Sequence, residues 1–317
     1  MSSIIRFLHV FGVIFACGSA TAWTAPLAYS TNERDGTISV IDTAIDQVIL
    51  TFQVGDKPRG AAITPDGKFM YVSDQPHNAL VIVDLIRNKP IASTKLASSP
   101  EGVGISPDGK LVVVANEEDD SVSLVDTLSY QEVYKIKMQG NNPEHAEFSP
   151  DGKWLYVTAE EAEHVDIVDV AQKKSIKLLQ VGLRPRGIGF LPDSSRAYIG
   201  CENSNVVVVI DTNTHEIITR IGVGVRSNGV KVTPDGRKVY ISNGGDGTVS
   251  AIDTLTNKVI ATIPVGKRPW NMAITPDGQK LYVANGKSNT VSVIDTSKDV
   301  NIKNIQVGES PWGVFLH

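Results

Sequence analysis

The tripeptide Pro-Asp-Gly returns along this chain at a nearly constant interval. Pro65-Asp66-Gly67 recurs as Pro107-Asp108-Gly109, Pro150-Asp151-Gly152, Pro192-Asp193-Ser194, Pro234-Asp235-Gly236 and Pro276-Asp277-Gly278, in steps of 42, 43, 42, 42 and 42 residues. Proline presets φ at the second position of a tight turn and glycine tolerates the positive φ that follows. A turn of this kind every 42 residues, with alternating apolar segments between, requires one supersecondary unit repeated around or along an axis.

The unit reads as four strands. In the copy starting at Pro269, residues 270–275 form a short strand and Pro276-Asp277-Gly278 the turn. Residues 280–285 (Lys-Leu-Tyr-Val-Ala-Asn) form a second strand, 290–295 (Thr-Val-Ser-Val-Ile-Asp) a third, and 301–307 a fourth. Four antiparallel strands are one blade of a β-propeller. The third strand ends in aspartate seven times, at Asp42, Asp84, Asp126, Asp169, Asp211, Asp253 and Asp295, against six turn tripeptides. The missing turn is explained by the ends of the chain. Residues 27–32 match a second strand, and Pro311 to His317 match a first. The expected fold is therefore an all-β, seven-bladed propeller of four-stranded antiparallel blades, its ring closed by three N-terminal strands plus one C-terminal strand. Closure removes the open sheet edges that invite aggregation.

Residues 1–22 are set apart. One charge, Arg6, precedes an apolar run from Phe7 to Ala16 and small residues ending Ala20-Thr21-Ala22. That order predicts a secretory signal peptide over 1–22, cleaved after Ala22, and a propeller over 23–317. Cys17 leaves open a lipid-anchored N-terminus. The apolar run is short for a membrane span, and none is expected in the mature chain. Periplasmic or secreted location and a monomer are the expectations. Removing Arg6 moves the net charge from −5 to −6, which disfavours nucleic acid as a partner. Only Cys201 remains, so the mature chain has no internal disulfide.

The segments Tyr71-Val72-Ser73-Asp74, Tyr156-Val157-Thr158-Ala159, Tyr240-Ile241-Ser242-Asn243 and Tyr282-Val283-Ala284-Asn285 resemble the YVTN β-propeller repeat, as do the flanking Val-Gly-x-x-Pro-x-Gly and Val-x-Val-Ile-Asp-Thr stretches. The resemblance covers residues 27–317. Within that family the layout is similar to the exported propeller associated with quinone-dependent alcohol catabolism. It implies a periplasmic partner, a pyrroloquinoline quinone (PQQ) dehydrogenase or a c-type cytochrome. The tryptophan motif of PQQ enzymes is absent, so PQQ itself is not an expected cofactor.

Positions that break the repeat point to a site. The residue after the proline of Val-Gly-x-x-Pro reads Arg59, Glu101, Glu144, Arg186, Asn228, Trp270 and Trp312, a ring expected at the mouth of the central channel. The next position is glycine in five copies and His145 and Asn271 in two. An acidic sector (Glu101, Glu117, Glu118, Asp119, Asp120, Glu144, Glu160, Glu161, Glu163) faces a basic one (Lys57, Arg59, Arg184, Arg186, Arg226, Lys267, Arg268), an arrangement that would orient a dipolar partner. His145 and His164, with Glu144, form a candidate divalent-metal set. Trp270 and Trp312 beside Arg59 suit a flat anion or a protein anchor; as the alternative, the tryptophans plug the mouth. Cys201, standing where other copies have asparagine or aspartate, reads as a small buried residue. His77, His215 and His317 read as incidental. No haem, phosphate-loop, zinc or nucleophile-elbow motif occurs. The reading is a non-enzymatic binding scaffold. The alternatives are a metal-dependent lyase or hydrolase at the channel mouth, and a nucleic-acid-binding propeller.

Overall fold

The computed structural model describes residues 25–316; the segment read as a signal peptide and His317 lie outside the described residues. Twenty-eight strands form seven four-stranded antiparallel sheets arranged as blades. Numbering the blades from the first complete one, their inner strands are Pro58–Ile63, Pro100–Ile105, Pro143–Phe148, Pro185–Phe190, Ser227–Val232, Pro269–Ile274 and Pro311–Leu316. The seventh blade is composite: Pro311–Leu316 pairs antiparallel with Leu27–Asn32, which continues into Thr37–Asp42 and Gln47–Gln53. Val314 and Trp312 of the closing strand are buried, so closure is an apolar contact as well as a hydrogen-bonded one. None of the described residues forms a helix long and apolar enough to cross a membrane.

The repeated residues do structural work at fixed places. In the Pro-Asp-Gly turns, the hydroxyl of the preceding threonine or serine donates to the aspartate, as Ser106 Oγ does to Asp108 Oδ1 at 2.7 Å, while the glycine takes a positive φ (69° at Gly67). The aspartates ending the third strands accept backbone N–H groups of the following turn, as Asp84 Oδ1 does from Ile86 and Arg87 at 2.9 Å. The second-strand tyrosines are buried, and their hydroxyls cross to the next blade. Tyr71 donates to the Thr127 carbonyl at 3.1 Å, Tyr198 to Asn257 Oδ1 at 3.3 Å and Tyr240 to Asp299 Oδ1 at 2.6 Å; Tyr282 reaches Asp46. Tyr156 meets His215 Nδ1 at 2.9 Å. His215 is thus a buried inter-blade partner, set edge-on to Trp154 with ring centroids 4.5 Å apart, and not the incidental residue the sequence suggests.

Cys201 is buried, and burial pushes its thiol up to about 12, which leaves no thiolate for chemistry. The substitution is concerted. Asn243 Nδ2 donates to Thr248 Oγ1 and Ser250 Oγ, both at 2.9 Å. In the blade of Cys201 the corresponding positions are Val206 and Val208, so a polar triplet has become an apolar one.

Removing the clasp by deleting residues 312–317 is expected to expose the edge at Leu27–Asn32 and give an aggregating protein in size-exclusion chromatography. A deletion variant that stays monomeric with unchanged melting contradicts ring closure as the stabilising device.

Candidate functional site at the channel mouth

Every inner strand carries one extra residue relative to the strand it pairs with, just after its first position: Pro58 pairs with Asp74 but Ala61 with Val72, and Pro143 pairs with Ala159 but His145 with Thr158. Such a bulge re-aims side chains. It brings the residue after the proline to the mouth of the channel and sets the next one a level deeper. Arg59, Glu101, Glu144, Arg186, Asn228, Trp270 and Trp312, the whole ring expected from the sequence, line or border this mouth, a cavity of about 230 Å3.

A second ring, of which only Glu117 and Glu160 are among the residues expected from the sequence, comes from the residue that follows each second strand: Glu33, Gln75, Glu117, Glu160, Glu202, Gly244 and Gly286. The two glycines leave room for large neighbours. A Cβ at 244 would lie 3.3 Å from Arg268, and one at 286 would lie 3.0 Å from the Trp270 ring. The third contribution is the residue before the inner strand. At Arg184, Arg226 and Arg268 the backbone is left-handed (φ 56°, 60° and 56°), a conformation held by its surroundings, and all three side chains turn to one carboxylate.

That carboxylate is Glu202, fully buried. Arg186 Nε lies 3.1 Å from it, Arg226 Nε 3.1 Å, Arg268 Nη2 2.9 Å and Arg184 Nε 3.5 Å. Burial pushes its proton affinity up, but the surrounding guanidinium groups prevail and hold the carboxyl below the usual range. Arg186 also pairs with Glu144, and with Glu160 Oε2 at 3.1 Å, and Arg184 pairs with Glu160. On the other side Arg59 bonds Glu33 at 3.1 Å and pairs with Glu101. The acidic and basic sectors therefore join at the mouth through these pairs and do not stand apart as two opposed fields. Burial and the neighbouring Glu144 charge raise Glu160 to about 7 against the pull of Arg186, whereas Glu144 is held low by Arg186 despite its own burial.

His145 and Asn271, the two breaks in the glycine ring, meet across the channel: Asn271 Nδ2 stands 3.3 Å from His145 Nε2. The imidazole also stacks on Trp312, with centroids 5.6 Å apart and planes 12° apart. These three side chains floor the mouth. Asn271 donates to Nε2, so the neutral ring carries its proton on Nδ1, which has no hydrogen-bond partner and lies 3.9 Å from Glu144 Oε1. Burial lowers the pKa of His145 and keeps the ring neutral. Trp270 lies elsewhere on the rim, under Arg268 at 5.8 Å. Arg59 is engaged by carboxylates, so the expected Trp-Trp-Arg stack is replaced by separate contacts.

His164 sits at the start of a third strand with Nδ1 against the Ala162 carbonyl. Among the described residues, the side chains close enough to share a metal ion are Glu101, Glu117 and Glu144; of the His145, His164 and Glu144 set, only Glu144 belongs to this group. Two of the three carboxylates are already matched to Arg59 and Arg186.

Residues 22–129 and 174–307 match the family model described as lactonase, seven-bladed β-propeller, and residues 88–235 match that of the YNCE-like β-propellers. No curated protein sequence matches the chain. Among solved structures it is similar to a chain of Kuenenia stuttgartiensis hydrazine synthase (TM-score 0.79, 23% identity, 90% of this chain and 99% of that one). It is similar also to a functionally unknown protein from Desulfotomaculum acetoxidans (0.79, 18%, 92% and 98%). A third is a Bacteroides uniformis protein provisionally named a 6-phosphogluconolactonase (0.78, 19%, 92% and 100%). At these identities the structural likeness concerns the fold.

Replacing Glu202 with Gln leaves four guanidinium groups around a neutral amide and is expected to cost about 3 kcal/mol at pH 7. Because the folded carboxyl titrates below its ordinary value of 4.5, its contribution is present above that value and fades as pH falls through the folded pKa. Denaturant melts at pH 7 and pH 3 should show a smaller gap between wild type and Glu202→Gln at pH 3. A gap of equal size at both contradicts the hub.

Proposed function

Because the chain belongs to the seven-bladed β-propeller lactonase family, we propose that its channel mouth hydrolyses the ester bond of a small lactone. The observation that carries this reading is the juxtaposition of Glu160, raised to about 7, with a buried arginine cluster and a neutral histidine in one single-ring-sized cavity. A general base is most effective when its pKa lies near the working pH. Glu160 takes a proton from water, whose oxygen bonds to the lactone carbonyl carbon. The carbonyl oxygen, now an oxyanion, receives hydrogen bonds from the Arg186 guanidinium and the His145 Nδ1–H. Collapse of the intermediate breaks the ring C–O bond, and the proton held on Glu160 passes to the departing alkoxide. The product is a hydroxy acid and the base is regenerated. Glu202 acts through the arginines: it fixes Arg186 and Arg268 and is a positioning residue.

Titration of acid release from glucono-δ-lactone and from anionic lactones should give turnover that rises with pH along an acidic limb of half-maximum near pH 7. Glu160→Gln and Arg186→Met should each reduce kcat at least about a hundredfold, and Glu160→Gln should abolish the limb. No turnover above buffer for any lactone tested contradicts the reading.

A second reading, a periplasmic docking scaffold accessory to PQQ-dependent alcohol oxidation, is favoured by one observation. The rim beside the mouth carries a 3-10 turn made wholly of acids, Glu117–Asp119, with Glu118 exposed. Docking of a basic cytochrome there should weaken with salt. Reversal of Glu117, Glu118, Asp119 and Asp120 to lysine should abolish it, and unchanged affinity counts against this reading.

A further inference from the structure

Each blade ends in an outer strand that pairs with one neighbour only among the described residues, so the ring presents seven outward sheet edges. Such edges recruit further strands unless charge or proline guards them. Six of the seven are guarded: Lys95, Lys135, Lys177, Arg220, Lys258 and Lys303 each stand in one. The seventh, Gln47–Gln53 of the composite blade, reads Gln-Val-Ile-Leu-Thr-Phe-Gln and holds neither a charge nor a proline. Ile49 and Leu50 at its middle are 53% and 39% exposed, and Ile45 just before it is 52% exposed. The bulge common to the outer strands falls at Ile49 here and leaves Leu50 to Gln53 in regular register with the strand inside it.

We propose that this edge is the interface of a transient dimer, in which Gln47–Gln53 pairs antiparallel with the same strand of a second copy. A two-fold contact sets like on like. At this edge that means uncharged against uncharged, whereas any other outer edge would bring its own cations towards their copies, which is unfavourable. Lys303, on the adjoining outer strand, donates to the Ile45 carbonyl at 3.1 Å; antiparallel pairing places it and its copy at opposite ends of the contact. One unguarded edge per chain is used up by one partner, so association stops at two.

The size of the contact sets its strength. At about 3.3 Å per residue the strand is about 23 Å long, and with neighbouring sheets about 10 Å apart a contact reaching one sheet to either side is about 20 Å wide. That is on the order of 500 Å2 per partner, the small end of specific interfaces. The monomer expected from the sequence therefore holds at low concentration and the dimer at high. Antiparallel pairing reverses one ring axis relative to the other, so the two channel mouths open in opposite directions and both stay free. The dimer does not depend on lactone hydrolysis.

Sedimentation equilibrium of the full chain from about 1 to about 500 µM tests it. The mass should rise from one 34.1 kDa chain towards two and stop there, with a Kd on the order of tens of micromolar. Ile49→Lys combined with Leu50→Lys sets like charges across the pair and should weaken association at least about tenfold with unchanged melting. The same two positions changed to glutamate should also give a monomer, and mixing the lysine and glutamate variants should restore the dimer. Ile218→Lys, on an edge that already carries Arg220, should leave association intact. In the unaltered protein, amide exchange within residues 47–53 should slow as concentration rises, while that within 216–222 does not. A single-chain mass at every concentration, growth past two chains, a dimer that survives the lysine pair, or a dimer that leaves exchange at 47–53 unchanged would overturn the proposal.

Discussion

Closure of the ring is the constraint on which the rest of this protein depends. A single blade cannot bury both of its faces, and six blades in a row would leave two bare edges and an open core. The pairing of Pro311–Leu316 with Leu27–Asn32 turns seven marginal sheets into one enclosed body. Only a closed ring brings Glu144, Arg186, Glu202 and Arg268, drawn from three blades, to one axis. The same closure sets His145 against Asn271, 126 positions away in the chain. The site is a property of the ring and of no single segment.

Inside the ring, uniformity and function separate cleanly. Positions that hold the blades together repeat: the Pro-Asp-Gly turns, the capping aspartates, the tyrosines that bond the next blade. Where one is replaced, the neighbours change with it, as at Cys201 with Val206 and Val208. Around the axis the opposite holds. Glycine at five of seven positions keeps one level open, and the two exceptions meet to divide the channel into an upper and a lower chamber.

The sequence revealed the fold almost completely, because a 42-residue rhythm dictates strand order, blade count and the composite blade without reference to any contact. It also revealed the ring from Arg59 to Trp312 and the breaks at His145 and Asn271, since those depart from an internal standard. Glu202 was overlooked although it follows Cys201 directly. Its significance lies in four arginines from three blades converging on it, and pairing through space leaves no mark on a one-dimensional comparison. Reading the residue after every second strand would have exposed it, because that column runs through three successive glutamates, Glu117, Glu160 and Glu202, and then two glycines. The two charge sectors were legible as lists but misread as opposed fields, since adjacent blades let them neutralise each other. His215 looked incidental because its partner, Tyr156, sits 59 residues away.

The central claim is that a neutral His145, proton on Nδ1, and its arginine neighbours form a working site at the mouth. Nitrogen-detected NMR of the histidine rings, recorded while a hydroxy-acid product is titrated in, tests it most directly. The account predicts a His145 that stays neutral at pH 7, with a protonated Nδ1 whose resonance moves on product binding. A His145 ring that is charged at pH 7, or that does not respond while product binds, would contradict it.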